Sequence, residues 1–84
     1  MARGVQKDLQ DAVVRRIEQL RKQNGWSYYR YAVEAGISTR TLNYIAEGKN
    51  KSINLNTIKK LADACDMSIT DFFDTAYFRN LPKE

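Results

Sequence analysis

Four times between Trp26 and Phe72 the chain repeats one local pattern: an apolar residue, a capping residue, three further positions and a second apolar residue. The four instances are Trp26-Ser27 to Tyr31, Ile37-Ser38 to Leu42, Ile53-Asn54 to Ile58, and Met67-Ser68 to Phe72. In each, the capping oxygen can accept a hydrogen bond from a free amide of the first helical turn, while the flanking apolar pair closes a hydrophobic staple. Asp71, three residues after Ser68, adds a capping box to the last. Each cap contributes on the order of 1 kcal/mol. Helix starts this closely spaced confine the chain to a set of short helices.

Upstream of the first cap, Leu9, Val13, Ile17 and Leu20 recur at helical spacing and stack on one face. They predict a helix capped by Asp8, with Asp11 in its first turn, Arg21 and Lys22 in its last, and Asn24-Gly25 as its stop. Five helices follow, near 8–24, 28–35, 39–47, 55–65 and 69–78. The fourth shows the stripe Leu55, Ile58, Leu61, Ala62 and Cys65, and the fifth offers Ile69, Phe72, Phe73, Ala76 and Tyr77. Arg15, Arg16, Arg21 and Arg30 are expected on solvated faces. Eighty-four residues bury one core, so the expectation is a flexible segment at 1–7, one all-α domain at 8–78 and a tail at 79–84.

Function classes narrow quickly. With no histidine and a single cysteine, Cys65, neither an imidazole base nor a multi-cysteine zinc site can be assembled. No carboxylate pair has a spacing that implies shared chemistry, so the chain is read as a non-enzyme without cofactor, metal or evident small-molecule ligand. Charges interrupt every apolar stretch, which leaves no membrane span, and cysteine usage fits a reducing cytoplasm. The formal charge of +4 is uneven: residues 1–38 carry +3, residues 39–60 carry +4 and residues 61–84 carry −3. Positive potential on the first two thirds favours a polyanionic partner.

The stretch Gly36 to Gly48 concentrates that preference. Only Gly36-Ile37-Ser38 separates the second and third helices, and a left-handed glycine there swings the chain through a large angle, as in a helix-turn-helix. Ala32 and Ala35 leave room for the close crossing. Along the third helix Leu42, Ile45 and Ala46 form an apolar stripe, and Thr39, Arg40, Asn43, Tyr44 and Glu47 form the other face. A short helix anchored on one side, with hydroxyl, guanidinium and amide groups on the other, suits a DNA major groove. Bland alternatives remain at this point: Arg40 on phosphate or in solvent, Tyr44 packed on the next helix, and Lys49 and Lys51 solvated in a charged loop.

From about Ile17 to Phe73 the sequence resembles the phage repressor and Cro-like helix-turn-helix domains of the Xre type. Ser27, Ala32, Gly36-Ile37-Ser38, Thr41-Leu42, Ile45, Gly48-Lys49, Leu61-Ala62, Met67-Ser68 and Phe72 carry the likeness. The resemblance implies a five-helix lambda-repressor-like domain that binds double-stranded operator DNA, commonly as a homodimer. It further implies transcriptional regulation, chiefly repression, in bacteria or phage. It implies base contacts from Thr39, Arg40, Asn43 and Tyr44, and phosphate contacts from Tyr28, Lys49, Lys51 and Asn54. Phe73, Tyr77 and Phe78 are the candidate dimer contacts, since they give a short terminal helix more aromatic surface than it usually hides. Three positions depart from the family pattern: Tyr28 replaces glutamine, Tyr31 replaces leucine and Ile53 replaces proline, the second implying a core repacked around Trp26. The competing reading is a protein-interaction module, an antitoxin or adaptor, that docks through the aromatic C-terminal helix.

Overall fold

The computed structural model describes residues 9–50 and 52–81, and within them every regular element is an α-helix. They are α1 (Leu9–Gln23), α2 (Tyr28–Ala35), α3 (Thr39–Ala46), α4 (Leu55–Ala64), α5 (Ile69–Phe73) and α6 (Ala76–Arg79). All four inferred caps are formed. Ser27 Oγ accepts from the Arg30 amide, Ser38 Oγ from Thr41, Asn54 Oδ1 from Thr57 and Ser68 Oγ from Asp71, at 2.8–3.0 Å. The staples close as well: Tyr31, Leu42, Ile58 and Phe72 are buried, and Trp26, Ile37, Ile53 and Met67 pack against the core they form. The expected cap of α1, Asp8, lies outside the described residues, as do 1–7 and 82–84.

Helix ends repeat a device of their own. After α2, Gly36 takes φ +74° while its amide bonds Val33 O and the Ile37 amide reaches back to Ala32 O at 3.0 Å. This pair of bonds satisfies carbonyls that the helix would otherwise leave open. The same pair follows α4, yet there the left-handed residue is Asp66 at φ +59°. Between the caps, α2 and α3 meet closely because Ala32 is fully buried and Ala35 nearly so. Tyr31 fills the space beside them, its ring 5.3 Å from that of Trp26, and its hydroxyl donates to Leu61 O at 3.1 Å. Burial pushes that phenol's pKa upward, and the Cys65 thiol beside it acts in the same direction.

Three expectations change. The fifth helix is not continuous over 69–78: it stops at Phe73 and restarts at Ala76. The cause is Arg16, which is buried rather than solvated. Its Nε donates to Phe72 O at 2.7 Å and its Nη2 to Asp71 O at 2.8 Å. The guanidinium thus takes the place of the next turn's amide at Phe72 and ends α5, and the chain turns so that α6 packs against α1. Leu9 and Leu55, placed in core stripes by periodicity, are exposed. Each is the first residue of its helix, where the stripe overruns the body it packs against. Arg21 is likewise engaged rather than solvated, bonding Glu18 and donating to Trp26 O at 2.7 Å.

Candidate nucleic-acid interface

Helix α3 is held by two fully buried side chains, Leu42 and Ile45, and started by the Ser38 cap. What remains of its surface is polar and outward: Arg40, Asn43 and Tyr44 are exposed, Tyr44 by 52%, and Thr39 is half-buried. Tyr44 therefore does not pack under the next helix. The charged and amide groups expected to read base edges lie on one side of one helix, and none is consumed by the core.

The loop after α3 brings in a residue that sequence reasoning did not single out. Asn50 joins Arg40, Thr41 and Tyr44 around a hollow of about 310 Å³. Its side-chain oxygen accepts from the Ser52 amide at 2.9 Å, and its backbone carbonyl accepts from Gln10 Nε2. The loop is thereby tied to α1. The only sequence signal was position, in a polar loop directly after the helix stop.

The phosphate candidates differ in what already engages them. Lys49 is exposed and pairs with Glu47 at 3.2 Å, so the acid nearest the face is matched by a cation. Asn54 spends its side-chain oxygen on the Thr57 amide and hydroxyl, leaving its NH2 as the group for an anion. Lys51 lies outside the described residues. Tyr28, the first residue of α2, stands apart from the others: its hydroxyl donates to the Glu18 carboxylate, and Arg21 sits 4.5 Å from the centre of its ring. Hydrogen bonds from Arg21 and Tyr28 hold the Glu18 carboxyl at a pKa of about 2. Burial and the same carboxylate push the Tyr28 phenol upward.

The dimer candidates are partly committed within the chain. Phe73 and Phe78 meet edge to face at 4.9 Å, both lie within 6.4 Å of Phe72, and both pack against the core. Tyr77 is half-buried beside α1. This packing reduces the aromatic surface left for an adaptor-type partner. Among the described residues no group of acids or cysteine can hold a metal ion, and no helix is long and apolar enough to cross a membrane.

Two short helices crossing at a glycine corner, the second with a buried stripe and a polar outer face, define a helix-turn-helix domain. The chain belongs to the HTH_3 helix-turn-helix family, whose model matches residues 17–72. The family is one of DNA-binding regulatory domains. No curated protein matches the sequence. Among solved structures, the chain is similar to an HTH_3 family transcriptional regulator from Vibrio cholerae, with 26% identity and a TM-score of 0.72. That match covers 81% of this chain and 38% of the regulator, so the chain spans well under half the regulator's length. It is also similar to the prophage Lp1 protein 11, with 28% identity and a TM-score of 0.77 over 89% of this chain and 99% of that one.

Proposed function

We propose that the chain is a sequence-specific double-stranded DNA-binding protein that regulates transcription, as a repressor, by laying α3 in the major groove. Residues 8–78 form the DNA-binding unit. The observation that carries this reading is the division of α3: Leu42 and Ile45 are wholly buried, while Arg40, Asn43 and Tyr44 project from the body beside a loop that α1 holds in place. Thr39, Arg40, Asn43 and Tyr44 contact base edges, with Asn50 alongside. Lys49, Lys51 and Asn54 contact phosphate. Binding is an equilibrium with no covalent step, phosphate contacts fixing register and α3 side chains selecting sequence. A homodimer sets two copies of α3 about 34 Å apart on a near-palindromic site.

Selection of bound sequences from a random duplex pool tests the reading, followed by salt titration of the selected site. Arg40→Ala should flatten the sequence preference, since a bidentate guanidinium contact to guanine is worth about 1–3 kcal/mol of discrimination. Lys49→Ala and Lys51→Ala should weaken all duplexes alike and each reduce the log–log salt slope by about 0.9. If the Arg40 and Lys49 variants shift selected and random duplex equally, the assignment of roles is wrong. Sedimentation that finds only monomer, with and without DNA, removes the dimer.

A further inference from the structure

Asn50 is fastened at two points, and the fastening decides what its side chain can offer. A backbone amide can only donate, so the Ser52 N–H is met at 2.9 Å by the Asn50 side-chain oxygen, which fixes the orientation of the amide. A backbone carbonyl can only accept, so Gln10, the second residue of α1, turns its NH2 towards Asn50 O across forty positions of sequence. Both residues are half-buried. A free asparagine presents an acceptor and a donor side by side, the pattern that pairs with adenine N6 and N7. In Asn50 the oxygen is turned back onto its own loop, so the two ends cannot meet one base edge together. What Asn50 brings to the hollow it shares with Arg40, Thr41 and Tyr44 is its NH2. Arg40 in the same hollow is likewise a donor without an acceptor.

We infer, resting on the DNA reading above, that Asn50 selects sequence as a donor alone, favouring guanine or thymine and refusing cytosine, and that Gln10 is the positioning residue that holds it there without touching DNA. In the major groove guanine offers N7 and O6 and thymine offers O4, all acceptors, whereas cytosine offers an N4 amino group that meets a donor with a donor. Adenine falls between, since its N7 acceptor lies beside an N6 donor. Asn50 borders the same hollow as Arg40 and Tyr44, so a base edge that meets the outer side of α3 comes within its reach. The tie from Gln10 orders the loop before DNA arrives. Released from it, the loop would be ordered only on binding, at a cost in affinity that falls on the Asn50 contact.

The test uses the whole chain at one salt concentration, comparing its affinity for the selected duplex with that for duplexes carrying each of the other base pairs at every position of the site. Asn50→Ala should weaken the preference at one position by about two- to tenfold, the worth of one hydrogen bond, and leave the positions that depend on Arg40 as they were. Asn50→Asp keeps an oxygen for Ser52 but puts an acceptor where the NH2 was, so the preference at that position should reverse towards cytosine. Gln10→Met keeps the length and removes the donor; it should flatten the same position and add nothing further in the Asn50→Ala background. Gln10→Lys, which retains a donor for the carbonyl, should keep the parent's preference. An unchanged preference in Asn50→Ala, or a full preference in a folded Gln10→Met protein, overturns the inference while the DNA reading stands. A loss shared equally by all duplexes in Asn50→Asp, with no reversal, also overturns it and places Asn50 at phosphate. Should Gln10→Met not fold, Gln10→Ser, too short to reach the loop, takes its place with the same outcomes. Failure of the parent to bind any duplex at low salt overturns both.

Discussion

Replacing Arg16 with methionine should be among the most damaging single changes on α1. The side chain is 8% exposed, and it makes two hydrogen bonds to the terminal carbonyls of α5 and a third to Gln19 Oε1 at 2.7 Å. Methionine keeps most of the apolar stem, so the loss falls on the guanidinium, both its hydrogen bonds and its place 5.9 Å from the centre of the Phe72 ring. A bond from a charged donor contributes about 1.5–3 kcal/mol, and stranding its acceptor adds a desolvation cost. Two such bonds give a floor of about 3 kcal/mol, from which water reaching the frayed end of α5 recovers little. For a domain of this size each kcal/mol moves the midpoint by roughly 4–8 °C, so the melting temperature should drop by about 12–24 °C. Urea unfolding followed by circular dichroism measures the loss. Lys60→Ala on the exposed face of α4 serves as a control expected within about 0.5 kcal/mol. The damage should begin locally, with the ring signals of Phe73 and Phe78 losing their dispersion before the rest unfolds. A cost below about 1 kcal/mol for Arg16→Met would refute the view that this guanidinium terminates α5 and fastens it to α1.

Asp66→Gly should raise stability by about 1 kcal/mol, because a left-handed backbone costs a side-chain-bearing residue that much and the change also removes an anion from a helix C-terminus; equal or lower stability in urea would count against it. Ala32→Leu should cost about 1–3 kcal/mol by overfilling a site with no exposed surface, and a neutral result would show that α2 and α3 are not in close contact there. The Glu18 carboxyl titrates near 2 in the fold and near 4.5 in the free chain, so its contribution is fully present above pH 4.5 and is lost as pH falls towards 2. Discounted for a group a third exposed, that contribution is about 1 kcal/mol. The stability advantage of the parent over Glu18→Gln should shrink across this window, and a gap that stays constant would contradict the assignment.

Much of the fold was legible because it is written locally. A cap, a staple and a left-handed stop each depend on residues within six positions, and the starts of α2, α3, α4 and α5 fall where the sequence puts them. The break at Asp74 was not legible, because what ends α5 comes from Arg16, fifty-six residues earlier along the chain than Phe72. A long cation beside a stripe looks the same in sequence whether it extends into water or folds back onto carbonyls. On α3 the polar face could be read directly, since Leu42 and Ile45 fix its rotation. Asn50 could not, because a loop has no periodicity to say where its side chains come to rest. Tyr28 was placed correctly at the start of α2, but the Glu18 that holds its hydroxyl lies across a helix junction that spacing does not reveal.

The groups on the outer side of α3 contribute almost nothing to holding the molecule together. Leu42, Ile45 and the Gly36 corner do that work from the opposite side. Mutation can therefore rewrite positions 40, 43 and 44 at little thermodynamic penalty, and if these positions select sequence as proposed, a lineage carrying this scaffold is free to drift from one target to another while its architecture stays put.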